Sequence, residues 1–280
     1  MVGLLLVGLS AGAWAGEAPA LLPALAQLST RLRGPAAIQA LGAQLPAVAA
    51  AYQLPPATLQ TLLTQHHDLW VDANGRLLYA CTGLLAAPAA APAPASTPVG
   101  AGPSRVALAV ATVPHYHSKP GAPNVIFLDF DGGVYGGAWG GPFDTYAFDT
   151  DSDPTTFSDA EQAVIKRVWQ RLAEDFAPFN VDVTTDAAAP GTRGVILFTQ
   201  NVCRDGRNTP ATGYGGIAYV GAFGNAAYWP AWVSATGTGC NEQRMAEAGA
   251  HEMGHNLGLF HDGKTDGTVY YGGHGAGDTS

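Results

Sequence analysis

The sequence predicts a mixed α/β (α+β) fold: a mostly parallel, twisted sheet, one helix backing it, a second helix carrying a histidine cluster, and a small, mainly helical N-terminal region. Three observations carry this. Short apolar runs at 125–130, 181–185 and 195–199 bracket a long amphipathic stretch, and strand-helix-strand order favours parallel strands joined by a right-handed crossover. Residues 164–176 hold one apolar face over more than three turns. Residues 17–67 are rich in Ala, Leu and Gln and are set apart by a Pro/Ala-rich stretch.

Taken in order, Val2–Leu9 is a short apolar core, and Ala13-Trp14-Ala15 is an AxA-like cleavage site, so residues 1–15 read as a secretory signal peptide and the protein as secreted, extracellular or periplasmic. Residues 16–84 form an N-terminal module, read as a propeptide or as a unit that stays attached. Leu21, Leu22, Leu25, Leu28 and Leu32 recur at helical spacing, and a second helix is expected from Pro56 to His67. Leu69–Asp72 and Arg76–Tyr79 flank Ala73-Asn74-Gly75, which predicts a hairpin. Residues 85–104, mostly Ala and Pro, are an extended linker, and 105–280 form the main domain.

In that domain Val125–Phe130 suits a central strand. Ser158 and Glu161 form a capping box ahead of Val164, Ile165, Val168, Trp169, Leu172, Ala173 and Phe176. Val181–Thr185, Val195–Thr199, Gly216–Val220 and Pro230–Ala235 read as further strands. Asn241 is placed to cap a last helix, uninterrupted by proline from Glu242 to Leu257.

That helix carries His251-Glu252-Met253-Gly254-His255, followed by Gly258 and His261, a complete HExxHxxGxxH string. Residues four apart share a helical face, so His251 and His255 can aim at one ion while Glu252 sits beside it. Gly258, lacking a Cβ, can leave helical geometry cheaply and swing His261 back as third ligand. Three neutral imidazoles leave a tetrahedral zinc with an open position, where bound water has a pKa near about 7; Glu252 is placed as general base toward a polarised carbonyl. At this chain's composition the five fixed positions arise by chance with odds below roughly 1 in 10,000.

Residues 251–263 resemble the zinc-binding consensus of the metzincin metallopeptidases, and Asp262 after the third histidine resembles the reprolysin (adamalysin) branch. Residues 125–132, 157–161, 175–184 and 270–275 are similar to secreted bacterial reprolysin-like peptidases. The resemblance implies one catalytic Zn2+, a polypeptide substrate, endopeptidase activity with Glu252 as base, and an antiparallel edge strand along the cleft at Gly216, Ile217, Ala218 and Tyr219, where substrate can add as a strand. It also implies a methionine-bearing turn after the third histidine. The methionines are Met1, Met245 and Met253, so the domain is expected to continue past Ser280. The competing function is a catalytically inactive, secreted, zinc-stabilised binding module.

A net charge of −9 disfavours nucleic acid and anionic membranes as partners, and no apolar run reaches the ~18 residues needed to span a bilayer. Of three cysteines, Cys203 and Cys240 fall in the main domain and are expected to form a disulfide. Cys81 then has two readings: a thiolate filling the open zinc position and keeping the enzyme inactive, or a buried apolar or intermolecularly paired cysteine, which is favoured because Tyr79–Gly83 matches no known switch motif. Asp149, Asp151 and Asp153 begin like a Ca2+ loop, but Pro154 and Ala160 break the pattern, so a solvated acidic loop competes. The pairs His66/His67 and His115/His117 share no helical face and are expected to be solvent-exposed; His274 reads as a loop histidine.

Overall fold

The computed structural model describes residues 30–83 and 113–261, with Leu28 and Leu85. The signal peptide, nearly all of the linker, Asp262 and His274 lie outside the described residues. In chain order the elements are β1 (Leu32–Arg33), α1 (Gly34–Leu41), α2 (Leu45–Ala51), α3 (Pro56–Gln65), β2 (Leu69–Val71), β3 (Leu77–Cys81), β4 (Asn124–Asp129), β5 (Val134–Tyr135), β6 (Phe143–Asp144), α4 (Asp159–Asp175), β7 (Val181–Thr184), β8 (Thr192–Thr199), β9 (Gly216–Tyr219), β10 (Ala231–Ser234) and α5 (Glu242–Asn256). Among the described residues no helix is long and apolar enough to cross a membrane.

The central sheet runs β1-β2-β3-β9-β10-β8-β4-β7. The strands β10, β8, β4 and β7 are mutually parallel, as strand-helix-strand order requires, and β9 is antiparallel to β10. One face of this block is covered by α4 and α5. Ile165, Val168 and Leu172 of α4 and Met245 and Met253 of α5 bury against Ile126, Leu128, Ile196 and Phe198. The α4 capping box is formed: Glu161 N donates to Ser158 Oγ, and the Glu161 carboxylate accepts from Ser158 N at 2.9 Å. The opposite face carries an aromatic layer in which Trp232 and Tyr219 pack with Trp139 and Tyr228 from short 3-10 turns.

The expected edge strand is not an edge. β9 pairs with β10 on one side and with β3 on the other, antiparallel, with Cys81 opposite Gly216 and Leu78 opposite Tyr219. An unpaired row of amides is what a strand from another segment seeks, and here the N-terminal module fills it. The predicted hairpin supplies that strand: β2 and β3 pair antiparallel, and the turn is held by Asp72 Oδ1, which accepts from Asn74 N and Arg76 N. Helices α1–α3 cover the hairpin, burying Leu41, Val48, Leu59 and Leu63 against Leu69, Leu77 and Tyr79. Leu32, expected in a helix, pairs instead with Val71, because Gly34 at φ +59 turns the chain before α1 begins.

Two further expectations are corrected. Cys203 and Cys240 are free thiols, not a disulfide. They are held in separate local turns, Cys203 N donating to Arg207 O and Cys240 N to Ala235 O. The histidine pairs are not uniformly exposed. His66 is buried and hydrogen-bonded through Nδ1 to the Tyr79 hydroxyl at 2.8 Å, and half-buried His117 binds Asp182 at 2.7 Å.

Candidate metal centre

Helix α5 starts on Asn241, whose side chain accepts from Gln243 N and Arg244 N. Its far end closes in a Schellman motif: Leu259 N donates to Gly254 O and Gly258 N to His255 O, with Gly258 at φ +92. Only a residue without a Cβ occupies that backbone region at low cost. The reversal brings His261 back across the helix face that carries His251 and His255. The Nε2 atoms of His251 and His255 are 3.1 Å apart, and those of His251 and His261 are 3.0 Å apart.

A fourth donor completes the group. Cys81 Sγ lies 3.3 Å from His251 Nε2 and 3.6 Å from the Nε2 atoms of both His255 and His261. Donors bound at 2.0–2.3 Å in a zinc tetrahedron are separated from one another by about 3.3–3.6 Å. The three Sγ–Nε2 separations fall in that range and the two Nε2–Nε2 separations lie a few tenths of an ångström below it, so the cluster is compact enough for three imidazoles and a thiolate to share one zinc ion. The chemistry of the donors agrees. Burial, then His261, lowers His251 to about 4, and burial, then His251, holds His255 well below the ordinary imidazole range, so both rings are neutral ligands at pH 7. Burial, followed by the Glu252 and Asp68 charges, pushes the Cys81 thiol well up, so a thiolate there requires a cation beside it.

The outer ring nitrogens have different owners. His255 Nδ1 bonds to Leu259 O at 2.8 Å, within its own motif, whereas His261 Nδ1 is 3.1 Å from Asp68 Oδ2 of the N-terminal module. A partner on Nδ1 selects the tautomer that leaves Nε2 free to bind metal. Tyr79 lies on the same group, its ring centroid 4.3 Å from that of His255 and 4.2 Å from that of His261.

Glu252 is fully buried under β9, and neither carboxylate oxygen has a hydrogen-bond partner of normal geometry. Burial pushes this carboxyl well above the usual range, with the adjacent Cys81 thiol acting in the opposite direction. Gly216 makes room for it: a Cβ there would stand 2.5 Å from Glu252 Cγ. The other β9 residues act on the sheet. Ile217 and Tyr219 face the aromatic layer, and the Tyr219 carbonyl accepts from Asn256 Nδ2 of α5.

The acidic loop is satisfied within itself. Asp149 Oδ1 accepts from Asp151 N and Ser152 N, Asp151 Oδ1 from Asp153 N, and Asp153 Oδ1 from Thr155 N. Asp149 and Asp151 approach Glu161 closely enough to share a cation, and Asp153 is outside that group. Sequence reasoning missed Asp68, His66 and Tyr79. Their one visible signal was the i, i+2 spacing of Tyr79 and Cys81, which puts both side chains on one face of a strand.

No curated protein and no solved structure matches the chain. A family model does, described as Metallo-peptidase family M12B Reprolysin-like, over residues 146–262, a span that contains α4, β7–β10, α5 and all three histidines of the motif. Over that span the chain is similar to reprolysin-like metallopeptidases.

Proposed function

We infer that the protein is a secreted zinc endopeptidase, described here in a latent state. The observation that carries this reading is the convergence of three imidazole nitrogens beside a fully buried carboxylate with no hydrogen-bond partner. A structural zinc site has no use for such a group, and an unpaired buried carboxyl is costly whether or not it holds its proton. Bound zinc supplies Lewis acidity, polarising a substrate carbonyl and acidifying water in the fourth position. His251, His255 and His261 hold the ion. Glu252 takes the proton from the attacking water and returns it to the leaving amine; its raised proton affinity suits that transfer. The backbone of β9, freed of β3, offers amides and carbonyls to an extended peptide, with Gly216 beside the reacting carbonyl.

Latency follows from the N-terminal module. Cys81 occupies the position that water needs, and β3 occupies the strand position that substrate needs. One observation favours the competing reading of a non-catalytic, zinc-stabilised module: four protein donors make a closed set, as structural sites do. Replacing Cys81 separates the two. The zinc-loaded Cys81→Ala chain, cut within residues 85–104 so that β3 can leave β9, is expected to hydrolyse a quenched peptide, and the equally cut Cys81→Ala/Glu252→Gln chain to keep zinc but lose turnover by orders of magnitude. Equal turnover in both, or none in either, rejects the catalytic role of Glu252.

A further inference from the structure

Asp68 and Cys81 belong to one hairpin and reach one site. In the β2–β3 register Leu69 stands opposite Tyr79, and the Asp68 carbonyl accepts from Ala80 N at 2.9 Å. The antiparallel pairing thus sets the start of β2 beside the end of β3. Cys81 comes from one strand, and the carboxylate on His261 Nδ1 from the residue before the other. His261 is the ligand that most needs support, since it lies beyond the end of α5, where the helix no longer fixes its position. Its ring lies against N-terminal residues: Tyr79 with centroids 4.2 Å apart, and His66 stacked at 6.0 Å.

We propose that the N-terminal module is a metal-retaining device as well as a plug, with Asp68 as the positioning residue that orients His261 toward the ion. The proposal rests on the zinc reading above. Carboxylate partners of metal-bound histidines fix ring orientation and raise ligand basicity, and removing one typically lowers metal affinity about 10–100-fold. The latent chain therefore binds zinc more tightly than a chain from which the hairpin has withdrawn. Linkage makes the effect reciprocal: zinc tightens docking of the hairpin by the same factor, so metal removal and release of the module promote each other.

The test compares full-length wild type, Asp68→Ala and Asp68→Asn. Zinc affinity is read by competition with a chromophoric chelator, and site geometry by the visible spectrum of the cobalt-loaded protein. Asp68→Ala is expected to weaken zinc binding about 10–100-fold, while the thiolate-to-cobalt band persists because Cys81 stays bound. Asp68→Asn should fall between, since its amide oxygen still accepts from Nδ1–H but carries no charge. The melting temperature of the metal-free protein should be the same in all three. Unchanged zinc affinity in Asp68→Ala overturns the proposal. So does a weakening accompanied by loss of the thiolate band and a lower metal-free melting temperature, which marks collapse of the hairpin instead. A wild-type chain that binds neither zinc nor cobalt at this site rejects the zinc reading itself.

Discussion

Replacing Gly216 by alanine probes how closely the sheet and the α5 carboxylate are fitted. The backbone of Gly216 is ordinary strand, so alanine introduces no conformational strain of its own. The added Cβ would lie 2.5 Å from Glu252 Cγ and Oε1 and 2.7 Å from Cδ, well inside contact distance. Glu252 is fully buried and its helix is packed against β9 and β10, so neither partner yields freely. Overpacking of this kind costs about 1–3 kcal/mol. At a urea slope of about 2 kcal/mol/M, a 2 kcal/mol loss moves the unfolding midpoint down by about 1 M. Relief of the clash requires Glu252 to shift by an appreciable fraction of an ångström, and a 1 Å misplacement of a reacting group costs about 100-fold in rate. The decisive measurement is a double-mutant cycle in metal-free protein. In a Glu252→Ala background the clashing Cγ is gone, and Gly216→Ala should cost less than about 0.5 kcal/mol. Such a cycle isolates the pairwise interaction. If the two substitutions are additive within about 0.5 kcal/mol, Gly216 is not there to seat Glu252, and the fit inferred between strand and helix is wrong.

Three more expectations follow from the same geometry. Gly258→Ala places a Cβ in the left-handed region at φ +92, at a cost of about 1–2 kcal/mol; zinc content after dialysis should fall, because the Schellman turn delivers His261, and full retention would mean that the turn is dispensable. Burial raises the Asp129 carboxyl to about 7 from its ordinary 3.8, so between those values the folded state binds a proton that the unfolded chain has released. That stabilisation is complete below the unfolded value and is lost as pH rises through about 7. Urea midpoints of wild type should therefore decline across pH 4–7 relative to Asp129→Asn, and parallel profiles would contradict the assignment. Thiol titration of the unfolded, unreduced chain should count all three cysteines; a count of one would restore the Cys203–Cys240 disulfide that the structure lacks.

Much of the architecture was legible because it depends on short-range periodicity. The β2–β3 hairpin, the Ser158 capping box, the parallel strands around α4 and the unbroken α5 each rest on residues within about one element of each other, and each is present as read. The misreadings share the opposite property. Leu32 fits a helical spacing that Gly34 interrupts, and His66 looks solvated until α3 and the hairpin bury it. Cys203 and Cys240 looked like a pair by count and by their place in the main domain, yet both are free thiols.

The convergence of the three imidazoles was legible in the sequence. Spacings of four and six with a glycine between them dictate which imidazoles converge, since helix pitch and one left-handed residue suffice to aim them. What completes the centre was decided only by the tertiary fold. Cys81 meets His251 across 170 residues of chain, through the register of β3 on β9, and the same hairpin carries Asp68 to His261. No local pattern encodes that register. It is fixed by which side chains of two distant segments bury together, and so the thiol beside the three imidazoles, the covered strand edge and the carboxylate behind the third histidine became visible only once the chain was folded.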